Sequence, residues 1–316
     1  MLIGAARDGE TGRLLGTARE GDLFARRRAA LIQTERTGPF AYHEKQPAEN
    51  GQVFEEVEEL EDCVTAVNVT DLQSAVMRLG SLATSKKLLD RGVEPIFQMV
   101  CRDRNRLALQ SDLLSASALG IENVLCLTGD HTLLGDHEDA RPVFDLEGVG
   151  LLQAVETLCD GEDMAGNELD GSPDLFPGAV VTPGADPVEP QIMRMEKKVE
   201  AGAKFFQTQA VFDLDQFADF MQDVEHLDVP VLGGILLLKS AGMAKFLNGN
   251  ISGVQVPQRL IDRLAADKER AKSGETAVRI AAQTVRGMRD LCDGVHIMAL
   301  GWGNLVPRIV DEAGLD

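Results

Sequence analysis

The sequence predicts an α/β fold of one kind, a closed (β/α)8 barrel, and three observations carry that expectation. Short β-branched or apolar runs alternate with amphipathic helical patterns from about residue 38 to the C terminus, and eight such runs can be counted. Several, such as NVLCLT at 123–128 and VPVLGGILL at 229–237, are almost continuously hydrophobic. That is how strands buried on both faces read, and such strands are parallel and joined by crossover helices. Finally, 316 residues exceed the usual size of one domain. Eight β/α units in roughly 250–280 residues suit one closed TIM-barrel better than an open sheet with a second domain.

The elements follow in order. Strands are expected at Phe40–Glu44, Cys63–Thr70, Glu94–Val100, Asn123–Thr128, Gly178–Thr182, Phe205–Gln209, Val229–Leu237 and Gly294–Ala299. Helical spacing fills the intervals, as at Leu107, Ser111 and Leu114, where two of the three are apolar. Gly120 and Gly202 stand a few residues before strands, each in a small-Gly-small setting, where glycine stops a helix. Two stretches fall outside the pattern. Residues 1–37 read as an appended N-terminal extension, helical or partly disordered, ahead of a single barrel domain at 38–316. Residues 160–177 read as an acidic Gly/Pro-rich loop.

Charge narrows the partners. With 51 Asp+Glu against 31 Lys+Arg the formal net charge is −20. A surface this acidic repels phosphate backbones and anionic lipids over about 10 Å at 0.1 M salt, so neither nucleic acid nor membrane is expected. Five cysteines form no Cys-x-x-Cys pair, and no histidine stands at zinc spacing. This speaks against a disulfide framework and a structural metal, and for a reducing cytoplasm. The N-terminal stretch has acidic residues and the Arg26-Arg27-Arg28 run but no apolar core of a signal peptide, and no run of about 18 apolar residues occurs. Arg outnumbers Lys by 21 to 10. A halophilic host and an ordinary acidic cytosolic enzyme both fit that balance.

In a barrel of this kind chemistry sits where strands end, so the polar residues that follow each strand are the candidates. They are Glu44; Asn68, Thr70 and Asp71; Gln98, Arg102, Asp103 and Arg104; Thr128 and Asp130; Thr182 and Asp186; Gln207 and Gln209; and Lys239 with Trp302. Together they make a wide hydrogen-bonding bowl without a Ser-His-Asp or Cys-His set. Each also has a plain structural reading. The CRDRN stretch at 101–105 can be a helix start with Asn105 as N-cap among ion pairs. Gln207 and Gln209 share one face of a strand and can be buried amides of a polar barrel layer.

The wording of the chain is more specific than its pattern. QMVCRDRN at 98–105 and GIENVLCLTGD at 120–130 resemble the methylenetetrahydrofolate reductase family, as do AVNVTD at 66–71, KKVEAGAKFFQTQ at 197–209 and GVHIMA at 294–299. The resemblance runs over about 38–313. It implies a flavin-dependent barrel that reduces 5,10-methylenetetrahydrofolate to the methyl form, in one-carbon metabolism and methionine supply or an anaerobic one-carbon pathway. By position, Glu44 resembles the acid that protonates N10 as the folate ring opens, Asp130 the aspartate near flavin and pterin, and Gln209 a glutamine that hydrogen-bonds the pterin, with Gln207 beside it. Thr70, Gln98, Arg102, Asp103, Thr182, Asp186 and Lys198 resemble flavin-contacting positions, with Lys198 toward the phosphate. FAD is the implied cofactor, with FMN as alternative, and no metal is implied.

The chain departs from the pattern at three places. One proline, not two, follows Glu44, Gln98 stands for a histidine, and Ala241 stands where an aromatic residue stacks nicotinamide. The last points toward an electron-donating partner protein instead of NAD(P)H. A homo-oligomer is compatible with the family, and the competing class is a non-redox folate-binding or methyl-transfer subunit on the same barrel.

Overall fold

The computed structural model describes residues 6–7, 14–15, 31–34, 60 and 63–315. Eight parallel strands close into a barrel: β1 (Leu31–Thr34), β2 (Ala66–Val69), β3 (Pro95–Val100), β4 (Asn123–Leu127), β5 (Phe176–Val181), β6 (Phe205–Ala210), β7 (Val231–Leu236) and β8 (Gly294–Met298). Their order around the barrel is the order of the chain, and β8 meets β1 through His296 opposite Leu31 and Ile297 opposite Ile32. Ahead of the barrel, Ala6–Arg7 pairs antiparallel with Leu14–Leu15.

Seven of the expected strands lie where the sequence puts them, shifted by one to three residues at their ends. The first does not. The strand that closes the barrel is Leu31–Thr34, inside the stretch expected to be an extension, so the barrel begins before residue 38. The expected strand at 40–44, and Glu44 with it, lies outside the described residues. A four-residue run is enough here because a closed sheet supplies hydrogen-bonding partners on both sides of it.

One helix follows each of β2 to β6: α1 (Ser81–Leu89), α2 (Arg106–Ala118), α3 (Gly148–Cys159), α4 (Glu189–Glu200) and α5 (Leu214–Asp223). Four helices separate β7 from β8, namely α6 (Ala241–Asn250), α7 (Gln258–Ala266), α8 (Lys268–Lys272) and α9 (Glu275–Met288), and α10 (Val306–Ala313) ends the fold. Each places apolar residues inward; on α3 these are Leu151, Leu152, Val155 and Leu158, all essentially inaccessible. Burying each such side chain stabilises by about 1.5–3 kcal/mol. Start signals are local. Asn105 caps α2 by accepting from Ala108 N at 3.1 Å, and Asp213 caps α5 by accepting from Asp215 and Gln216.

The lower lumen is filled by a large residue facing a small one. Phe205 on β6 stands opposite Gly178 on β5, where a Cβ would fall 2.2 Å from Phe205 Cζ. The Phe205 ring also stacks on Phe176, with centroids 5.8 Å apart and planes 7° from parallel. Gly178 is thus a volume requirement. Gly178→Val should lower the free energy of unfolding by about 1–3 kcal/mol, and adding Phe205→Leu should return part of it. Urea unfolding of the two single variants and the double variant checks this, and strictly additive losses would contradict it.

Candidate active site at the barrel mouth

A layer of buried amides and an imidazole crosses the barrel lumen below the mouth. Asn68 on β2 donates from Nδ2 to Gln207 Oε1 on β6 at 3.1 Å, and the same nitrogen lies 3.5 Å from His296 Nε2 on β8. All three are nearly inaccessible. Strands β2 and β6 are opposite in the eight-stranded closure, so this bond spans the barrel. Burial pushes the His296 pKa down to about 3, leaving a neutral ring whose Nε2 accepts. Asn68 Oδ1, Gln207 Nε2 and His296 Nδ1 then have no protein partner. Such orphaned groups in a closed interior call for water or ligand.

Above this layer three strand ends are tied by charge. Arg102, just past β3, is 2% exposed. Its Nε and one terminal nitrogen hold Asp103 at 2.8–3.1 Å, while its terminal nitrogens donate to the Leu72 carbonyl at 3.0 Å and the Asp130 carbonyl at 3.2 Å. Arg104 forks onto Asp71, whose Oδ2 also accepts from Val100 N at 3.0 Å, and pairs with Asp112 at 2.9 Å. Burial opposes the Arg104 charge, but the hydrogen bond and charge of Asp71 outweigh it and its pKa is raised. Breaking one side of a buried pair of this kind costs about 3–5 kcal/mol.

The backbones joined in this way are unusual. Leu72, Ser74 and Ala75 carry φ of 45°, 54° and 59°, left-handed values that side chains disfavour. Gly129 has φ of 89° and sits so close that a Cβ would fall 3.0 Å from Val100 Cβ and 3.3 Å from Arg102 Cβ. The Asp130 side chain emerges from this packed turn onto the exposed rim. Thr128 serves the next helix, where its Oγ1 accepts from Gly148 N at 3.1 Å and Glu147 accepts from Val149 N.

Gln209 reaches the same rim from β6. The register between β6 and β7 slips between Gln207 and Ala210, and a bulge there re-aims the strand end. Gly234 lets β7 approach it, since a Cβ would meet the Thr208 and Gln209 carbonyls at 2.6 and 2.7 Å. Thr208 Oγ1 bridges the bulge, donating to Gln209 O and accepting from Gly234 N. Next to it on the rim, past β7 and β8, the Lys239 ammonium bonds the Leu300 carbonyl and lies 5.2 Å from the centre of the Trp302 ring.

Residues 40–314 match the methylenetetrahydrofolate reductase family. The chain belongs to that family. It is 25% identical over 233 residues to a probable methylenetetrahydrofolate reductase (NADPH) of Caenorhabditis elegans, covering 71% of this chain and 33% of that protein. It is 23% identical over 235 residues to methylenetetrahydrofolate reductase 1 of Schizosaccharomyces pombe, covering 72% of this chain and 36% of that protein. The chain therefore spans about a third of the length of these relatives. Among solved structures, a protein of Clostridium thermocellum described as binding two copies of 5-methyl-5,6,7,8-tetrahydrofolic acid shares the fold, with a TM-score of 0.57 at 15% identity over 92% of this chain and 95% of that one.

Within the family frame the expected residues divide. Thr70 and Gln98 are buried at the ends of β2 and β3, and Asp130 and Gln209 stand on the rim above them. Gln207 is a lumen amide, as its plain structural reading had it, and Asn105 is the expected N-cap. Arg102 and Asp103 bond each other and the backbone. Thr182 packs toward Gly253, and Asp186 is exposed next to Pro187. Lys198 is turned to the Val180 carbonyl at 2.6 Å, and burial first, then the charge of Arg194, lowers its pKa.

Among the described residues no group of three His, Cys, Asp or Glu is placed to hold a metal, and no helix is long and apolar enough to cross a membrane. Asn68 was among the sequence candidates but His296 was not, although a lone histidine in the apolar run GVHIM is the kind of signal that marks a lumen position.

The imidazole has a pH signature. An unfolded His296 takes up a proton near its ordinary value of 6.5, whereas the buried ring resists until about pH 3. Its contribution to stability is complete above pH 6.5 and is lost as pH falls toward 3. His296→Gln should therefore flatten the decline of melting temperature between pH 6.5 and 4 relative to wild type. Thermal melts across that range check this; parallel curves for the two proteins would contradict it.

Proposed function

We propose that this chain reduces 5,10-methylenetetrahydrofolate to 5-methyltetrahydrofolate with the aid of a bound flavin, and that the barrel mouth is the place of reaction. The observation that carries the reading is the family match across residues 40–314, which takes in every strand end from β2 to β8. A barrel of the same fold described as binding a reduced folate agrees with that ligand class.

The residues present fit a flavin. An isoalloxazine is a flat, uncharged heterocycle edged with hydrogen-bond acceptors and donors. The mouth has buried Thr70 and Gln98 at its strand ends and, one layer down, the Gln207 Nε2 donor without a protein partner. Thr182 and Asp186 at and after the end of β5 would hold the remainder of the cofactor, FAD before FMN by family resemblance, with Arg102 and Asp103 shaping the wall, while the Lys198 ammonium is engaged by the Val180 carbonyl. When bound, the flavin supplies the hydride.

The chain's own residues then have separable tasks. The exposed Asp130 carboxylate lies where a cationic iminium on the folate would be stabilised, an attraction of about 4 kcal/mol at 4 Å near a protein surface. Gln209, whose Oε1 accepts from Ala210 N at 3.0 Å, would hydrogen-bond the pterin through its amide nitrogen. Glu44, outside the described residues, is the acid that delivers a proton to N10. A buried carboxylic acid with a raised pKa suits that step.

Two rim residues support a reading of the electron source. Ala241 opens α6 with no ring to stack a nicotinamide, and the Trp302 ring is already engaged by Lys239. An electron-donating partner protein is the donor this favours.

Two measurements follow. Purified protein should be yellow and should oxidise methyltetrahydrofolate anaerobically with an artificial acceptor. A colourless protein that binds methyltetrahydrofolate, gains no flavin on reconstitution and does not turn over would be the non-redox subunit instead. Separately, NADH and NADPH should support much slower turnover than a viologen donor, because hydride transfer needs the nicotinamide held face-on at about 3–3.5 Å. Equal rates in steady-state assays of the single chain would refute this.

A further inference from the structure

We infer that Arg102 is a positioning residue that sets the backbone presenting Asp130, and not a cofactor contact. The inference deepens the proposed function and rests on it only in taking Asp130 as the group presented. Four observations converge. Arg102 is 2% exposed, so its guanidinium has no face left for a ligand. Its bonds go to Asp103 and to two carbonyls, Leu72 O and Asp130 O, which belong to loops 30 and 28 residues away in sequence and flank β3 on its two sides. Those two loops also touch directly, since a Cβ on Gly135 would fall 2.0 Å from Ala75 O. The Leu72 side of the clamp is left-handed backbone at a non-glycine residue, which persists only where its surroundings over-determine it.

The geometry explains why arginine is needed. A planar fork can hold a carboxylate through two nitrogens while the same group reaches two further acceptors. Asp103 neutralises the charge and fixes the fork's plane. Lysine offers a point charge and three donors on a flexible stem, so it can keep the pairing with Asp103 but not the two divergent carbonyl bonds. The predicted consequence is local. Removing the clamp leaves the barrel closed, because the ladder from β2 to β4 does not depend on it, and loosens the turn on which Asp130 sits.

The test uses Arg102→Lys, Asp130→Asn and the double variant of the full chain, with two readouts. In hydrogen exchange followed by mass spectrometry, Arg102→Lys should speed exchange in the segments 71–77 and 128–134 by tenfold or more while α9 stays within twofold of wild type. In methyltetrahydrofolate oxidation with an artificial acceptor, Arg102→Lys should lower kcat about 10- to 100-fold, with methyltetrahydrofolate Kd changed less than threefold. The double variant should be no more than about threefold slower than Asp130→Asn alone, because a residue that acts through Asp130 has nothing left to position. Unchanged exchange at 128–134, or exchange raised equally in α9, overturns the clamp. Fully additive losses in kcat, or a Kd that weakens in step with kcat/KM, overturn its action through Asp130. If wild-type protein shows no turnover, the proposed function falls, and the exchange experiment still decides the clamp.

Discussion

Closing eight parallel strands into one barrel is the constraint on which everything else depends. Parallel closure puts every carboxyl end on the same rim, so residues from sequence positions as distant as Thr70 and Gln209 share one bowl. It also leaves a narrow lumen that side chains must fill. This chain fills the lower lumen with Phe205 against Gly178 and the layer below the mouth with Asn68, Gln207 and His296. The apolar part is ordinary packing. The polar part costs desolvation, and the orphaned Asn68 Oδ1, Gln207 Nε2 and His296 Nδ1 show that protein partners alone do not offset it.

The two kinds of polar group near the mouth are handled differently. In the lumen they are neutral: two amides and a histidine kept unprotonated by burial. At the ends of β2 to β4 they are charged, and each buried charge is matched, Arg102 with Asp103 and Arg104 with Asp71 and Asp112. The neutral layer suits contact with an uncharged heterocycle. The ion pairs instead join loops, because a fork of donors can hold carbonyls from two chain segments at once. Neutral and ion-paired polar groups are thus separated by height in the barrel.

How much of this the sequence shows depends on where the signal is carried. Strands such as Asn123–Leu127 were legible because burial on both faces leaves a continuous apolar run, and Asn105 was legible because capping is a local preference. Leu31–Thr34 was not, since four residues behind the Arg26-Arg27-Arg28 run have no alternation long enough to separate a strand from a helix flank. The family wording marked Arg102 as a flavin-contacting position and gave no sign of the bonds it makes in the fold. Besides Asp103 its partners are the Leu72 and Asp130 carbonyls, and a backbone carbonyl leaves no trace in residue type. Lys198 shows the same limit, since its resemblance to a flavin-contacting position gives no sign of its bond to Val180 O.

The charge of the whole molecule bears on the mouth in one more way. A body of formal charge −20 repels an anionic ligand at long range. The buried arginines nearest the rim do not counter this, because Asp71, Asp103 and Asp112 neutralise them in place. If a folate binds as proposed, its attraction to the site would be short-ranged: hydrogen bonds from groups such as Gln209 and contact with the lumen amides. Salt acts on the two ranges unequally. At about 1 M the screening length falls to roughly 3 Å, which removes the long-range repulsion but leaves hydrogen bonds and buried pairs nearly untouched. An acidic exterior whose buried arginines are neutralised in place is thus least hindered where ions are abundant, and that follows from where the charges lie and not from how many there are.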